Sequence, residues 1–493
     1  MELNRSPLFS ERERRVMNNQ DLVFLSATEL ASKIREKQIS PVEVVKAYLD
    51  RITAVDAKLN AYITVMADEA LAAAREAETN ITSGINKGPL HGVPVGVKDQ
   101  IYTKGIRTSS ASRIRSDFVP NFDAAVVSGL KKSGAIILGK LNMTEFAMGD
   151  PITSAFGVTR NPWDLSRSPG TSSTGSGAAT ASFMCASSLG EDTGGSVRGP
   201  AANCGLVGIR PSWGRVSRHG VDGASWSLDT IGPISRTVED CALTLGAIAG
   251  YDQRDQYTKH VPVPDYGAAL TGDVKGLKVG LIKEFIDPDV MGVTEPVRQS
   301  VLEAARLLGR LGAEIEETSL PLAPVAGVAS RIISSVERSS LHPEWLRNRP
   351  GDLHHNTRVA FTAGELVPSP VYYKAQKLRT LVRRQTLEAL ERFDVLAMPI
   401  ASEPATIMDL NPGISSQQSA ARALTEGSYR GLFSMVSGPA LSICCGFSKD
   451  GAGKLPLALQ IAGRPFDEAT VMNVAYTYEQ NTNWHLERPP QLL

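Results

Sequence analysis

Two glycine-rich segments that carry serine are the parts of this sequence best suited to chemistry. The first runs from Ser168 to Gly177 and holds six hydroxyl residues, and the second runs from Gly190 to Arg198. Ser172 in the first segment and Ser196 in the second are 24 positions apart. Glycine lets the main chain approach a substrate without a side chain in the way. A serine held by such a chain becomes a nucleophile when a base stands next to it.

Lys98 is the base that the sequence offers. Its flanks are largely apolar, with Val93–Val97 before it and Asp99, Gln100 and Ile101 after it. A lysine at the end of a strand usually just reaches solvent, but burial among apolar residues lowers a lysine pKa. A neutral amine can then accept a proton from a serine hydroxyl. Lysine and two serines are therefore the groups that could hydrolyse an amide without histidine or metal, whereas a serine-rich glycine loop taken alone is more often a flexible surface turn.

Other chemistries find less support in the sequence. Gly170 and Gly175 have the spacing of a phosphate-binding loop, but Ser176 stands where the phosphate lysine must be. No G-x-S-x-G motif occurs, which excludes the nucleophile elbow of α/β-hydrolases. The seven histidines and five cysteines show no metal-ligand spacing, so no metal is expected and the thiols are expected to be reduced.

Composition and charge describe an ordinary globular chain with material for a large core. Lysine plus arginine and aspartate plus glutamate both number 52, so the net charge is zero and no overall field favours nucleic acid. No apolar run is long enough to cross a membrane. Residues 1–20 form a charged leader without the apolar centre of a signal peptide. The expected location is the cytoplasm.

The elements around the serines read as alternating helices and strands. Ser26 with Glu29 and Ser40 with Glu43 are capping boxes that predict two helix starts. An apolar, β-branched stretch over 90–97 predicts a buried strand that ends at the lysine. Further elements are predicted as a helix over 124–132, a strand over 135–138, a helix over 177–186, a strand over 276–282, a helix stripe over 297–308 and a strand over 313–317.

This alternation favours an α/β sheet between layers of helices. Residues 21–493 are predicted to form one domain after the leader, because no clean linker or internal repeat interrupts them. The polar, irregular stretch over 347–357 is a candidate surface loop or lid.

The segments resemble the amidase signature family. The resemblance rests on His91–Asp99, on Gly170–Ala178 and on Gly190–Pro211, which occur in the family's order. Shorter matching pieces extend it over about 21–485, nearly the whole chain. The sequence departs from the family at Thr171 and Thr174, where glycine is common. The resemblance implies a mixed central sheet covered by helices on both faces.

The resemblance also implies a Ser-Ser-Lys triad. Ser196 is the nucleophile, Ser172 the bridging serine after a cis peptide bond, and Lys98 the base. The backbone N–H groups of Thr193, Gly194, Gly195 and Ser196 would surround the oxyanion. No cofactor is needed, since every group comes from the protein.

The substrate pocket is expected to draw on Met148, Trp226, Phe433 and Met435, by resemblance and apolar character. The favoured function is a stand-alone amidase that hydrolyses the C–N bond of a small carboxamide, anilide or carbamate-like substrate through an acyl-serine intermediate. Its expected partner is that small molecule alone, with no nucleic acid or membrane, and the resemblance implies a homodimer as one arrangement of such enzymes.

The alternative is the glutaminase subunit of a tRNA-dependent amidotransferase, which works with protein partners. The stretches 145–163 and 214–220 are similar to that branch. Against it, that branch has an acidic residue for the amino group of glutamine near the C-terminus, whereas 427–438 contains no acid. Polar residues over 353–357 also resemble stand-alone amidases more.

Overall fold

One mixed sheet of eleven strands forms the centre of the protein. The structure is a computed structural model, which describes residues 19–148, 150–410, 428–448 and 453–490. Along the sheet the strands follow the order β1-β3-β2-β4-β6-β5-β10-β11-β9-β7-β8. The strands are β1 (Tyr62–Val65), β2 (Pro94–Lys98), β3 (Ile136–Leu141), β4 (Ser187–Asp192), β5 (Val207–Arg210), β6 (Thr230–Ser235), β7 (Lys278–Ile282), β8 (Glu314–Thr318), β9 (Val395–Pro399), β10 (Ala440–Phe447) and β11 (Pro456–Gly463).

Helices flank this sheet, which confirms the predicted fold class. The described helices are α1 (Asn19–Leu22), α2 (Ala27–Arg35), α3 (Pro41–Leu59), α4 (Ala67–Thr82), α5 (Ala125–Lys132), α6 (Thr174–Ala181), α7 (Arg198–Cys204), α8 (Val238–Ile248), α9 (Lys283–Ile286), α10 (Pro288–Met291), α11 (Glu295–Arg310), α12 (Ala323–Leu341), α13 (Pro343–Asn348), α14 (His355–Glu365), α15 (Ser369–Arg392), α16 (Gly431–Val436) and α17 (Glu468–Gln480). Short 3₁₀ turns occur at Arg113–Arg115, Glu145–Ala147, Pro350–Asp352 and Trp484–Leu486.

Both capping boxes occur where the sequence predicts them. The side chain of Ser26 accepts from the N–H of Glu29, and Glu29 accepts from the N–H of Ser26 at 2.7 Å. Ser40 and Glu43 repeat the arrangement at the start of α3, with Pro41 at its first position. Each pair satisfies N–H groups that a helix end otherwise leaves without a partner.

Two predicted elements differ from the structure. The helix expected over 177–186 is α6, which begins earlier, at Thr174, so the first serine segment is half loop and half helix. The stretch over 347–357 is not an irregular loop, because it contains the end of α13, a 3₁₀ turn and the start of α14. Its Leu353 packs with Phe146 and Phe361, and this apolar contact is what orders it. The leader over 1–18 lies outside the described residues.

The centre of the sheet positions the serine segments. Strands β2 and β4 are parallel neighbours, with Val95 opposite Ser187 and Val97 opposite Leu189. All residues of both strands are buried. Because parallel neighbours end at the same edge of a sheet, the ends of β2 and β4 bring Lys98 and Asp192 to one place.

Candidate active site

Lys98 and Ser172 meet at the end of β2. The Nζ of Lys98 donates to the Oγ of Ser172 at 2.7 Å and to the carbonyl oxygen of Glu191 at 3.3 Å. Both side chains are fully buried. Burial lowers the pKa of Lys98, although the neighbouring Glu191 acts in the opposite direction. An amine in this position can exchange a proton with a serine hydroxyl.

The first serine segment packs tightly against α7. The peptide bond between Thr171 and Ser172 is cis. Gly170 has a φ of 84°, and a Cβ there would lie 2.6 Å from the backbone nitrogen of Pro200. Only glycine fits at this position, because any side chain would displace the backbone of α7. This close approach holds the backbone before Ser172 against α7.

The buried carboxylate of Asp192 fixes the turn that carries Ser196 through hydrogen bonds. Its carboxylate accepts from the N–H of Gly195 at 2.8 Å and from the N–H of Val197 at 3.2 Å. The guanidinium of Arg198 donates two bonds of 3.0 Å to it, and that of Arg210 one bond of 3.2 Å. Burial alone would raise the pKa of Asp192, but Arg198 and Arg210 hold it well below its usual range. An ionised Asp192 therefore fixes the backbone around Ser196.

Arg198 connects this turn to the C-terminal part of the chain. Its guanidinium donates to the side-chain oxygen of Gln460 at 2.6 Å, to the hydroxyl of Ser434 at 3.0 Å and to the carbonyl oxygen of Arg430 at 3.0 Å. Every donor of the buried group thus has an acceptor, which a buried charge requires. The serine turn is held by strands and helices from both halves of the sequence.

Two further carboxylates lie behind the lysine. Glu191 Oε2 is 3.4 Å from the Nζ of Lys98. The hydroxyl of Thr193 is 2.7 Å from Glu191 Oε1 and 2.8 Å from Asp229 Oδ1. Burial, with Asp229 nearby, raises the pKa of Glu191 to about 7. Glu191, Asp192 and Asp229 are not among the residues predicted for the site, and the small and polar neighbours of the two acids of β4 carry no signal of burial.

A cavity of about 460 Å³ opens in front of Ser196. Its wall includes the turn residues Thr193, Gly194 and Gly195, and also Met148. Gly195 must be glycine, because a Cβ there would lie 2.4 Å from the side chain of Arg430. A volume of this size suits a small molecule.

Charged side chains also line this cavity. They are Asp150, Arg331, Arg338 and Arg430. Asp150 accepts from the amide of Asn356 at 2.6 Å. Arg338 is buried, its Nη1 lies 3.3 Å from the sulfur of Met148, and its Nε has no hydrogen-bond partner among the described residues. Such a donor suits an anionic group of a ligand.

The predicted site residues are only partly brought together. Lys98 contacts Ser172, and Met148, Thr193, Gly194, Gly195 and Ser196 share the cavity. The N–H of Gly195, one of the four predicted oxyanion donors, is already bonded to Asp192. Trp226 lies on a different cavity, next to Tyr257.

Phe433 and Met435 do not line the cavity. Both point from α16 into the core and are at most 1% exposed. All six residues of α16 are buried, so its apolar side chains belong to the core, and the cavity is lined instead by Ser428, Arg430 and Gly431 from the start of that segment. In the part of the chain that the structure describes, no group of three or more potential ligands could hold a metal ion. Among the same described residues, no helix is long and apolar enough to cross a membrane.

Comparison with known proteins assigns the family. The sequence profile of the Amidase family matches residues 43–472. The chain belongs to the amidase signature family. It is accordingly a hydrolase that acts on C–N bonds other than peptide bonds.

Relatives and solved structures fall in two branches of this family. The A subunit of glutamyl-tRNA(Gln) amidotransferase from Geobacter metallireducens is 42% identical, over 95% of this chain and 99% of its own. The solved structure of the A subunit from Thermotoga maritima is 31% identical, with a TM-score of 0.73 and 95% of each chain covered. The peptide amidase from Stenotrophomonas maltophilia is 29% identical, with a TM-score of 0.80, 94% of this chain and 98% of that one.

These relatives overturn two expectations. The prediction of a stand-alone amidase for a small carboxamide, anilide or carbamate is wrong, because relatives at 42% identity over nearly the full length are named as amidotransferase subunits. The prediction that a small molecule is the sole partner is wrong for the same reason. That prediction relies too heavily on the absence of an acidic residue over 427–438 as an argument against the amidotransferase branch. Asp150, outside that stretch, is an acidic residue that lines the cavity.

Proposed function

We propose that this chain is the glutaminase subunit of a tRNA-dependent amidotransferase. It hydrolyses the side-chain amide of glutamine, and the ammonia serves the amidation carried out with its protein partners. The observation that carries the proposal is the near full-length similarity to amidotransferase A subunits, at 42% identity. The cytoplasmic location expected from the sequence is part of this proposal.

Lys98, Ser172 and Ser196 form the proposed triad. Neutral Lys98 takes the proton of Ser172, which takes the proton of Ser196, and Ser196 Oγ attacks the amide carbon. The contact of 2.7 Å between Lys98 and Ser172 supports the first transfer. The proton then passes back to the amide nitrogen, which leaves as ammonia. Water attacks the acyl-serine, and glutamate is released.

The oxyanion of both steps would be held by the turn before Ser196. Since the N–H of Gly195 is bonded to Asp192, the donors available to the substrate are the N–H groups of Thr193, Gly194 and Ser196. A donor that points at developing charge contributes about 10²–10³-fold in rate. Asp192 supports this function indirectly, because it fixes the direction of the turn.

The charged wall of the cavity fits a zwitterion. Glutamine carries an α-carboxylate and an α-ammonium group beyond its reactive amide. Arg338 offers the carboxylate an Nε that has no partner among the residues described, and Asp150 offers a carboxylate for the ammonium. A purely apolar amide would leave the Nε of Arg338 without an acceptor among the described residues, which is unfavourable for a buried donor. This chemistry supports glutamine over an apolar substrate.

The experiment is ammonia release from glutamine, measured on the chain alone and on the chain co-expressed with the other amidotransferase subunits of the same genome. We expect these partner proteins to co-purify with it and to raise glutamine hydrolysis, and the Ser196→Ala complex to assemble without hydrolysis. An absence of both co-purification and hydrolysis would reject the proposed function.

A further inference from the structure

A single hydroxyl lies between two buried carboxyl groups beside the lysine. Thr193 Oγ1 is 2.7 Å from Glu191 Oε1 and 2.8 Å from Asp229 Oδ1. A hydroxyl has one proton to donate and two lone pairs to accept with. If both carboxyl groups were ionised, one of these two contacts would place two lone pairs against each other. The geometry therefore requires a proton on one of the two carboxyl groups.

Asp229 has more hydrogen-bond donors than Glu191. Its carboxylate accepts from the N–H of Ala224 at 2.8 Å and from the N–H of Ser225 at 2.8 Å and 2.9 Å. Backbone N–H donors favour the charged form of a carboxyl group. Glu191 receives no backbone donor among the described residues, and its partners are Thr193 and Lys98. The proton consequently belongs on Glu191 Oε1, which donates to Thr193, and Thr193 donates to Asp229.

The distance to the lysine agrees with this assignment. An ammonium that donates to a carboxylate normally stands at about 2.7–2.9 Å. Lys98 Nζ and Glu191 Oε2 are 3.4 Å apart, although both side chains are fully buried and nothing screens them. Meanwhile Lys98 makes its short contact, 2.7 Å, with the hydroxyl of Ser172. The lysine therefore makes its short contact with the serine hydroxyl and only a long one with the carboxyl group.

We infer that Glu191 is a carboxylic acid in the resting enzyme and holds the proton that would otherwise keep Lys98 charged. The inference rests on the proposed function of Lys98 as a base. Glu191 is a positioning residue, since it acts through Lys98 and Thr193 and does not line the cavity. It makes the lysine a free base without exposing it to solvent.

Charged groups on every neighbouring element face Glu191. They are Lys98 at the end of β2, Asp192 on β4, Arg210 on β5, Asp229 before β6 and Arg338 on α12. Arg210 is bonded to Asp192. The cations and anions partly cancel, which leaves burial as the dominant influence on Glu191. Burial raises its pKa to about 7, in the direction that the hydrogen bonds require.

Infrared difference spectroscopy tests the inference directly. The spectrum of the wild-type chain minus that of Glu191→Gln, taken near neutral pH, should contain the carbonyl stretch of a protonated carboxylic acid. Glu479→Gln is the control, because Glu479 is a buried glutamate of α17 whose pKa is raised to about 8. It should give a separate acid band and show that the method detects one. If the difference spectrum contained only the bands of an ionised carboxylate from Glu191 and no band of a protonated acid, the inference would be overturned.

The pH profile supplies a second, kinetic readout. Glutamine is a neutral replacement for a neutral acid, so Lys98 should lose its proton at the same pH in both proteins. We expect the acid limb of kcat/KM for Glu191→Gln to coincide with the wild-type limb within about half a pH unit. If Glu191 were ionised, removing its charge would move the limb down by more than about one unit, roughly 1.4 kcal/mol. That displacement would also overturn the inference.

The tests separate this inference from the proposed function. The infrared band needs no turnover, so a protonated Glu191 in a chain that fails to hydrolyse glutamine would reject only the function. If Glu191→Gln is not obtained as folded protein, Thr193→Val replaces it in the infrared measurement. There the acid loses its acceptor and its band should move, and an unchanged spectrum would count against the inference.

Discussion

Replacing Asp192 with asparagine should damage both stability and catalysis. Asp192 is fully buried and is the acceptor for the guanidinium groups of Arg198 and Arg210. An asparagine keeps the shape but loses the charge. Its NH₂ group would face hydrogen-bond donors and could not accept from them. Two buried cations are then left without a counter-ion.

The magnitude follows from that burial. Removing one partner of a buried ion pair costs about 3–5 kcal/mol in the free energy of unfolding. The same substitution replaces one acceptor oxygen by an NH₂ group, so either the N–H of Gly195 or that of Val197 loses its acceptor. A displacement of about 1 Å at a reacting group costs roughly 10²-fold in rate. We therefore expect Asp192→Asn to lose about 3–5 kcal/mol and at least about 10²-fold in kcat.

Urea denaturation followed by tryptophan fluorescence measures the stability, and ammonia release measures kcat. The matched control is Asp352→Asn. Its carboxylate pairs with Arg349 at 2.7 Å, but the two side chains are 43% and 47% exposed. Exposed pairs contribute about 0–1 kcal/mol. If Asp192→Asn were as stable and as active as Asp352→Asn, the role given to Asp192 would be wrong.

Four further predictions concern the site and the core. Ser196→Ala should lose about 10⁴-fold or more in kcat, with Ser172→Ala and Lys98→Ala close to it and little additivity between them, as ammonia release would measure. Arg338→Gln should raise the KM for glutamine by roughly 10–100-fold with kcat little changed, because a hydrogen bond to a charged group contributes about 1.5–3 kcal/mol; an equal fall in kcat would contradict this. Dialysis against EDTA should leave the activity unchanged, and restoration by one divalent metal would refute the protein-only mechanism. Burial raises the pKa of Glu479 to about 8, so the folded state keeps a proton that the unfolded state releases above about pH 4.3. The free energy of unfolding should therefore fall as the pH rises towards 8, and thermal melts of Glu479→Gln should show a smaller fall over this range.

The sequence predicts the parts of this protein that local pattern controls. Capping boxes fix the starts of α2 and α3, and the apolar run before Lys98 predicts the buried β2. The three matched segments predict the family. These signals are local, because a cap or a strand depends on residues a few positions apart.

What the sequence does not predict depends on contacts between distant residues. Glu191 lies 93 positions from Lys98, and nothing in its own segment indicates that they meet. Phe433 and Met435 were expected in the pocket on apolar character, but apolar character equally predicts the core, where they lie. The division between a stand-alone enzyme and a component of a complex depends on similarity along the whole chain and not on one stretch such as 427–438.

The bond between Arg198 and Gln460 spans 262 positions of the sequence, and it has a consequence during synthesis. All three proposed triad residues leave the ribosome before residue 200, but the acceptors of Arg198 at 430, 434 and 460 follow much later. At about 5–20 residues per second, that interval is roughly 13–50 s. Throughout it the nascent chain carries its serines and its lysine without the C-terminal bonds that fix Arg198 and the turn before Ser196. We therefore expect an unfinished chain to be inactive towards amides until the last part of the sequence has been translated.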